Sequence, residues 1–332
     1  MYTIKSNACQ NAFISYKKEE YMSNYLYIYN YTPEEKELCE MEFYTIFQQK
    51  MTSKHVFSTI DFDYRRSVFI RGKLDILKSA SCFDEITKFV EKENYDFEQF
   101  KVIYLKNEIT HVSYQESIEK CKQIALPISG SVNMQNPLIE LAITKIHDVW
   151  YFGIYHHESM WNKHENKPHS YSHSISLRLA RTLVNIGIGN DLSLSVVDPC
   201  CGVGTVVLEA IAMGLSVKGY DINRYVSYQA RLNLEHYGYD PLIVEKKDMR
   251  TLEKKFDVAI MDIPYGVYTP FDYQQRLELV QSVKRIASRL VLVTHENMNE
   301  ELKQIGYHIE NQCVLIKGTF ERYITLCEIE GD

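Results

Sequence analysis

The chain has 332 residues and a formal net charge of −7, with 45% hydrophobic and 24% charged residues. The length exceeds what one compact core usually holds, so two domains are expected, and the composition excludes a chain dominated by disordered tracts. Neither half of the chain is basic, which excludes a broad electrostatic surface for nucleic acid and leaves only local basic patches for such a partner.

Residues 1–155 show an irregular pattern that predicts an α+β domain. Strands are predicted at residues 25–29, 67–70, 101–105, 141–146 and 150–155, the last two as a hairpin that turns at His147 and Asp148. Helices are predicted at residues 34–50, 83–91 and 114–126. Thr32 and Pro33 signal the start of the first helix.

Residues 156–174 predict a connector, because this stretch is polar, rich in histidine and contains Pro168. An amphipathic helix is predicted next, at residues 175–186. The cations of this region suggest a surface for RNA phosphate or for the carboxylate of a cofactor: Lys163, His164, Lys167, His169, His173, Arg178 and Arg181. A solvated linker without a ligand is the alternative.

Residues 175–332 alternate between strands and helices. The strands are predicted at residues 194–197, 216–220, 243–244, 257–261 and 290–294, followed by a closing hairpin of residues 307–316 and 322–330. The helices between them are predicted at residues 205–213, 225–237 and 274–288. Such alternation predicts a Rossmann-like α/β domain with a mostly parallel seven-stranded sheet, whose ligands bind at the carboxyl ends of the strands.

The cysteines and hydrophobic runs narrow the class of protein further. The eight cysteines include no pair in Cys-x-x-Cys spacing, so we expect no metal site. No apolar secretory segment opens the sequence, and no run is long enough to span a bilayer. We therefore expect a cytoplasmic protein with reduced thiols and no membrane partner. The sequence leaves its oligomeric state open.

The first motif runs from Asp198 to Thr205 and joins a predicted strand to a predicted helix. Gly202 and Gly204 permit a tight turn and a close approach of the backbone to a ligand. In a Rossmann dinucleotide enzyme this turn binds a pyrophosphate, but an acid such as Asp198 would repel a phosphate. The acid suits a cationic amino-acid group, as in S-adenosylmethionine. An ordinary strand-to-helix turn is the alternative.

Asp221 and Asp248 follow the next two predicted strands. An acid at the position of Asp221 accepts hydrogen bonds from both hydroxyls of a ribose, and the alternative is a helix cap, because Asn223 follows. Asp248 could accept a hydrogen bond from the amino group of adenine, with Met249 packing nearby. A solvated loop acid is the alternative. The pair indicates an adenosine ligand.

A second motif, Asp-Ile-Pro-Tyr-Gly, spans residues 262–266 after a buried strand. The exocyclic amine of guanine or adenine is a poor nucleophile, because its lone pair is delocalised into the ring. The Asp262 carboxylate and the Ile263 carbonyl could accept its N–H groups and direct the lone pair toward a methyl group. Pro264 restricts Ile263 to extended geometry, and Tyr265 could stack on the base. A plain turn is the alternative.

With residues 168–186 upstream, these motifs resemble the class I S-adenosylmethionine-dependent methyltransferases. More narrowly, they resemble the THUMP-type tRNA guanosine-N2 methyltransferases of the RNA methylase family. The resemblance covers residues 165–332, and residues 1–155 resemble only loosely a ferredoxin-like and reduced THUMP-like region. It implies a methyltransferase domain at residues 175–332 and an RNA-binding N-terminal domain. The implied activity is methylation of the exocyclic amine of a guanosine in tRNA, a tRNA-processing reaction.

The resemblance also implies roles for single residues. The implied catalytic residues are Asp262, Ile263, Pro264 and Tyr265. The implied cofactor contacts are Asp198, Cys200, Gly202, Gly204, Thr205, Asp221, Ile222, Asp248 and Met249. The chain departs from the commonest form of the family motif at Ile263, where that form has proline.

Three alternatives of different kinds stay open. The amine geometry fits a methyltransferase acting on ribosomal RNA, DNA adenine or a protein amide equally well. A protein that binds S-adenosylmethionine or RNA without turnover would keep the same acids and glycines. A nicotinamide dehydrogenase shares the glycine turn, but the acid before the glycines and the Asp-Ile-Pro-Tyr segment do not fit it.

Overall fold

The computed structural model describes residues 25–157, 161–171, 174–263, 273–317 and 320–329. Its strands are β1 (Tyr25–Tyr29), β2 (His55–Ser58), β3 (Ile70–Ala80), β4 (Asp96–Tyr104), β5 (Ser129–Val132), β6 (Ile139–Ile146), β7 (Val149–His156), β8 (Ser195–Asp198), β9 (Ser216–Asp221), β10 (Val244–Lys246), β11 (Phe256–Asp262), β12 (Ala287–Thr294), β13 (Tyr307–Lys317) and β14 (Phe320–Ile329). Its α-helices are α1 (Lys36–Phe47), α2 (Phe83–Glu93), α3 (Tyr114–Ala125), α4 (Leu177–Ile188), α5 (Thr205–Ala212), α6 (Arg224–His236), α7 (Tyr273–Lys284) and α8 (Asn299–Ile305).

These elements form two compact units. The first comprises residues 25–29, 53–61 and 70–157, and its seven-stranded sheet has the order β2-β1-β3-β7-β6-β4-β5. Its pairs are antiparallel except where β4 runs parallel to β5 and β6. Helices α2 and α3 pack on this sheet around Phe83, Ile86, Phe100 and Phe152. The predicted hairpin of β6 and β7 is confirmed.

The second unit comprises residues 30–52, 62–69 and the described residues from 161 onward. Its seven-stranded sheet has the order β10-β9-β8-β11-β12-β14-β13, and β14 runs in the direction opposite to the other six strands. The expected α/β fold with a mostly parallel seven-stranded sheet is therefore confirmed. The buried core is rich in aliphatic residues on β8, β11 and β12, as expected for strands covered on both faces.

The units do not follow the linear division predicted at residues 155–174. Helix α1 and residues 62–69 belong to the second unit, where α1 packs against α4 and β13. One reason is a buried polar contact, because the Glu42 carboxylate accepts hydrogen bonds from Asn185 Nδ2 at 2.7 Å and Ser67 Oγ at 2.6 Å. Leaving such groups unpaired in the core would be costly.

The strand predicted at residues 67–70 is wrong. Tyr64–Arg66 form a short 3₁₀ turn, and β3 begins only at Ile70. Val68 and Phe69 are 1% and 0% exposed and belong to the second unit, so their apolar character reflects burial in a core rather than strand pairing. In the part of the chain described, no helix is long and apolar enough to cross a membrane.

Candidate functional site

Four aspartates lie at or just after the carboxyl ends of neighbouring strands in the second unit. Asp221, Asp198 and Asp262 end β9, β8 and β11, which are adjacent in the sheet, and Asp248 follows β10 by two residues. Because parallel strands present their carboxyl ends at one edge, these side chains share the edge where ligands of such sheets bind. The sequence placed all four at strand ends, and the structure confirms that placement.

The glycine turn between β8 and α5 has the left-handed backbone that the sequence suggested. Gly202 has φ of 54° and Gly204 has φ of 82°, a region that side chains other than glycine rarely adopt. The N–H of Gly202 donates to Asp221 Oδ2 at 3.0 Å, which ties the turn to the end of β9. Thr205 Oγ1 is buried at the start of α5 and lacks a hydrogen-bond partner among the described residues. Such an orphaned polar atom suits a polar ligand.

Asp198 lies almost fully buried, with 4% of its surface exposed. Burial raises the pKa of its carboxyl well above the usual value, and the nearby Asp262 and Asp221 raise it further, while the hydrogen bond from the Cys200 N–H lowers it. An ionised group there therefore needs a cation close by. Burial also raises the pKa of the Cys200 thiol, so this side chain is not suited to act as a nucleophile.

Asp221 is only partly buried, and its carboxylate organises the turn before α6. Besides Gly202, it accepts a hydrogen bond from the N–H of Asn223 at 2.8 Å. The cap of α6 is Asn223, whose side chain accepts from Tyr225 and Val226, so the helix-cap alternative for Asp221 is wrong. Ile222 follows with 60% of its surface exposed, an apolar side chain open to a flat ligand.

Asp248 is held by its neighbour Arg250. Its carboxylate accepts from the Arg250 backbone N–H at 3.0 Å and from the guanidinium Nη2 at 2.7 Å. Hydrogen bonds from the Arg250 side chain lower the pKa of Asp248, which keeps it ionised. The next residue, Met249, is buried with its sulfur 3.5 Å from Cys200 Sγ. Asp248 is therefore a partly exposed acid that is ion-paired with Arg250.

Asp262 ends β11, and the peptide after it is fixed by the sheet. The N–H of Ile263 donates to the Val293 carbonyl at 3.1 Å, and the Ile263 side chain is buried in the core. Asp262 also lies close enough to Asp198 to raise its pKa. The other two predicted catalytic residues, Pro264 and Tyr265, lie outside the described residues.

The predicted basic surface of the connector is wrong for three of its seven members. His164 is fully buried, and its Nδ1 contacts Glu209 Oε1 at 2.7 Å. Arg181 is also buried and donates to Glu209 Oε2 at 2.7 Å. Arg178 forms a bidentate pair with Glu35. Glu209 and Glu35 therefore occupy these three side chains, which are not available to phosphate. His173 lies outside the described residues.

Sequence reasoning missed Asn233, a fully buried residue of α6. Its Oδ1 accepts from the His169 N–H at 2.9 Å, and its Nδ2 donates to the His169 carbonyl at 2.9 Å. The same Nδ2 donates to the Val203 carbonyl at 2.9 Å, inside the glycine turn. One amide therefore fastens the connector to that turn. The sequence signal that could have identified Asn233 is the presence of a polar residue among apolar residues of a helix.

The site as a whole favours ligands that carry positive charge and hydrogen-bond donors, because its acids converge on one edge of the sheet. In the described ranges, no group of three or more His, Cys, Asp or Glu side chains is placed to hold a metal ion. The arrangement suits positioning and charge placement rather than covalent catalysis.

Comparison with known proteins gives one family match and several partial relatives. Residues 165–304 match the family model described as RMKL-like, methyltransferase domain. The tRNA (guanine(10)-N2)-dimethyltransferase of Methanothermobacter thermautotrophicus is 38% identical over 103 residues, which cover 30% of each chain. The Pyrococcus abyssi protein of the same name is 33% identical over 132 residues, covering 36% of this chain and 39% of that one. The matches thus span less than two-fifths of these relatives.

Two further similarities are more distant. The Type II methyltransferase M.VspI of a Vibrio species is 32% identical over 85 residues, covering 23% of this chain and 21% of that one. Among solved structures, TrmN from Thermus thermophilus aligns over 92% of this chain and 100% of that one, with 14% identity and a TM-score of 0.46.

Proposed function

We propose that this chain, whose residues 165–304 match the RMKL-like methyltransferase domain model, transfers a methyl group from S-adenosylmethionine to the exocyclic amine of a guanosine in tRNA. The observation that carries the proposal is the row of four aspartates at one sheet edge, ending at Asp262 beside a peptide held by the sheet. The names of the archaeal relatives support guanosine in tRNA as the acceptor. With that substrate, the chain would act in the cytoplasm.

The residues fit S-adenosylmethionine in the chemistry of their donors and acceptors. Asp198 would face the cationic methionine end, with the unpartnered Thr205 hydroxyl and the backbone at Cys200, Gly202 and Gly204 around it. Asp221 would accept the ribose hydroxyls, and the exposed side chain of Ile222 would contact the adenine face. Met249 and Asp248 would flank the adenine.

The role of Asp248 toward adenine is constrained by Arg250. A carboxylate offers about four lone-pair positions, and the Arg250 backbone and guanidinium already donate to both Asp248 oxygens. A hydrogen bond from the adenine amine would therefore compete with the ion pair. We infer that Asp248 contributes to adenine recognition less than Asp221 contributes to ribose recognition.

Asp262 and Ile263 would perform the chemical step. When bound, the cofactor supplies a methyl group on a positively charged sulfur. The Asp262 carboxylate and the Ile263 carbonyl accept the two N–H groups of the guanine amine, which aims the nitrogen lone pair at that methyl group. As the N–C bond formed, the bond between that methyl group and the sulfur would break and the cofactor would leave as a neutral thioether. The Asp262 carboxylate would stabilise the cationic nitrogen and take its released proton. Tyr265 would stack on the base, with Pro264 setting the backbone between them.

The test is transfer of a labelled methyl group from S-adenosylmethionine to three acceptors in parallel: an unmodified tRNA transcript, a ribosomal RNA fragment and an adenine-containing DNA duplex. The nucleosides are then separated after digestion. We expect N2-methylated guanosine from tRNA. Label in DNA adenine, which the likeness to a Type II methyltransferase brings into consideration, would replace the proposed substrate. Cofactor binding without any transfer would contradict the proposed activity.

Asp221→Ala is expected to weaken binding of S-adenosylmethionine by about ten- to a hundredfold, because a hydrogen bond to a charged group contributes about 1.5–3 kcal/mol. The measurement is titration calorimetry with the cofactor and its demethylated product.

Asp240→Ala is the matched control for Asp221. Asp240 also accepts a hydrogen bond from the N–H two residues ahead, that of Leu242 at 2.9 Å, but lies outside the site. It should bind the cofactor like the wild type. Equal affinities of both variants would remove Asp221 from the cofactor site.

Asn233→Leu is expected to weaken cofactor binding by about tenfold, because the connector and the glycine turn lose the amide that joins them and a lost buried hydrogen bond costs about 1–3 kcal/mol. In this role Asn233 is a positioning residue. The thermal midpoint and the cofactor affinity are measured on the same sample.

Asn107→Leu separates this positioning role from a purely structural one. Asn107 fastens a loop of the first unit in the same manner, donating to the Lys145 carbonyl at 2.8 Å and accepting from the Thr110 N–H at 2.8 Å. Both variants should melt earlier, but only Asn233→Leu should bind the cofactor more weakly. If the two variants differed in neither property, Asn233 would be merely structural.

A further inference from the structure

Four cations beside the carboxyl edge of the second unit have no acid within ion-pair distance among the described residues: Arg224, Arg231, Lys246 and Lys247. Arg224, Lys246 and Lys247 are exposed, and Arg231 is half-buried. Unpaired cations in a chain of net charge −7 are available to an anionic partner.

The fold brings these cations together at one place. Strand β10 runs parallel to β9, with Lys246 in register with Asp221, and the N–H of Lys247 donates to the Asp221 carbonyl at 3.1 Å. Helix α6 begins three residues after Asp221 and packs against β10. Arg224 and both lysines therefore lie at the edge that carries Asp221.

Two exposed tyrosines lie among these cations on α6. Tyr225 and Tyr228 have 65% and 50% of their surface exposed, which is high for such large aromatic side chains. Residues three and four apart on a helix share a face, so Arg224, Tyr228 and Arg231 form one stripe. The Arg231 guanidinium lies 5.9 Å from the centre of the Tyr228 ring. We call Arg224, Tyr225, Tyr228, Arg231, Lys246 and Lys247 the α6–β10 patch.

Five other arginines of the second unit are neutralised by acids, in contrast to those of the patch. Arg178, Arg181, Arg250, Arg276 and Arg289 all pair with acids. Free cations interleaved with exposed aromatic rings match the two parts of single-stranded nucleic acid, because phosphates attract the cations and bases stack on the rings.

We propose that the α6–β10 patch binds a single-stranded segment of the RNA substrate and guides it past the cofactor end of the site. Arg224, Lys246 and Lys247 hold phosphates, and Tyr225 and Tyr228 stack on unpaired bases. This inference rests on the proposed function, since it assigns the surface by which that RNA is held. A local patch of this kind would allow the chain to bind RNA although neither half of the chain is basic.

The test is the affinity of the full chain for an unmodified tRNA transcript, measured over a range of salt concentrations. The triple variant Arg224→Ala, Lys246→Ala, Lys247→Ala should bind at least tenfold more weakly at low salt. Its slope of log affinity against log salt should be shallower by about 2, because each lost phosphate contact removes about 0.7 from the slope. The pair Tyr225→Leu, Tyr228→Leu should lose about tenfold in affinity with the slope unchanged.

Lys254→Ala, Lys255→Ala is the control, because these lysines precede β11 and lie at the opposite, amino end of the same sheet. Its RNA affinity and salt slope should match the wild type. Binding of the demethylated cofactor product, measured without RNA, should be unchanged in the patch variants.

The possible results separate this inference from the proposed function. If the wild type binds tRNA and the triple variant binds it with the same affinity and slope, the patch is not the RNA surface. An equal loss in the control variant would also overturn the inference, because it would show a general charge effect. If the wild type binds the cofactor but no RNA, the proposed substrate itself fails. If the α6–β10 patch bound anionic vesicles in place of RNA, both the proposed role of the patch and the proposed RNA substrate would be wrong.

Discussion

Replacing Asp262 with alanine is expected to lower kcat for methyl transfer by about a hundred- to ten-thousandfold while cofactor binding changes little. Asp262 ends β11 beside the buried Asp198, and under the proposed function its carboxylate would face the cationic nitrogen that develops on the guanine amine. Without it, the guanine amine keeps its delocalised lone pair and its N–H groups lose an acceptor. The measurement is single-turnover transfer to tRNA, with cofactor affinity determined separately.

The isosteric variant Asp262→Asn tests whether methyl transfer needs the negative charge of the Asp262 side chain or only its shape. It keeps one oxygen acceptor but cannot take a proton, so its rate should fall between those of alanine and wild type. Asp257→Ala is the control, because Asp257 lies near the other end of the same strand and accepts a hydrogen bond from the Ser195 N–H. A near-normal rate in Asp262→Ala would remove Asp262 from the chemistry, whatever the substrate.

Replacing Glu209 with alanine is expected to destabilise the second unit by about 3–5 kcal/mol, the typical cost of breaking a buried ion pair on one side. Glu209 is fully buried on α5, and its two oxygens each lie 2.7 Å from a cationic or ionisable partner, Arg181 Nη1 and His164 Nδ1. The mutation leaves both partners buried without an acid. Chemical denaturation followed by fluorescence measures the change in the free energy of unfolding.

The loss of stability in Glu209→Ala should extend to residues 62–69, because Arg181, a partner of Glu209, makes further hydrogen bonds to them. Arg181 also donates to the carbonyls of Arg66 and Arg65, at 2.9 Å each. Loss of Glu209 therefore loosens the contact that holds residues 62–69 in the second unit. Burial raises the pKa of Glu42, the other acid of this network, to about 7.

Glu245→Ala is the surface control for Glu209. Glu245 pairs with Lys218 at 3.2 Å, and both side chains are partly exposed to solvent. A solvated pair of this kind contributes less than about 1 kcal/mol. If Glu209→Ala were no more destabilising than Glu245→Ala, His164 and Arg181 would find other partners, and the network would be irrelevant to stability.

The placement of the site could be predicted because its signals are local. Asp198 and Asp262 each follow a short apolar run, and such a run bounded by polar residues predicts a buried strand. Asp221 follows a shorter strand pattern, residues 216–220. Parallel strands then bring their carboxyl ends to one edge without any knowledge of side-chain contacts. The glycine turn is equally local, since Gly202 and Gly204 supply backbone angles that other residues avoid.

The connector shows why charge patterns are less informative than apolar periodicity. Its histidines and lysines, with the arginines of α4, suggested a phosphate surface, but His164, Arg178 and Arg181 pair with Glu209 and Glu35. These acids are distant in the sequence from the side chains that they contact. A cation looks the same in the sequence whether it faces solvent, a ligand or a buried acid.

The amino-acid sequence by itself therefore determined most strands and helices of the second unit, but not α8, together with the glycine turn and the acids at the strand ends. Only the tertiary structure decided that α1 belongs to that unit, that Asn233 ties the connector to the glycine turn, and which cations stay unpaired. The physical reason is the separation along the chain over which each kind of interaction acts. Periodicity and turn chemistry act between neighbours along the chain, whereas buried hydrogen bonds and ion pairs join residues that only the completed fold brings together.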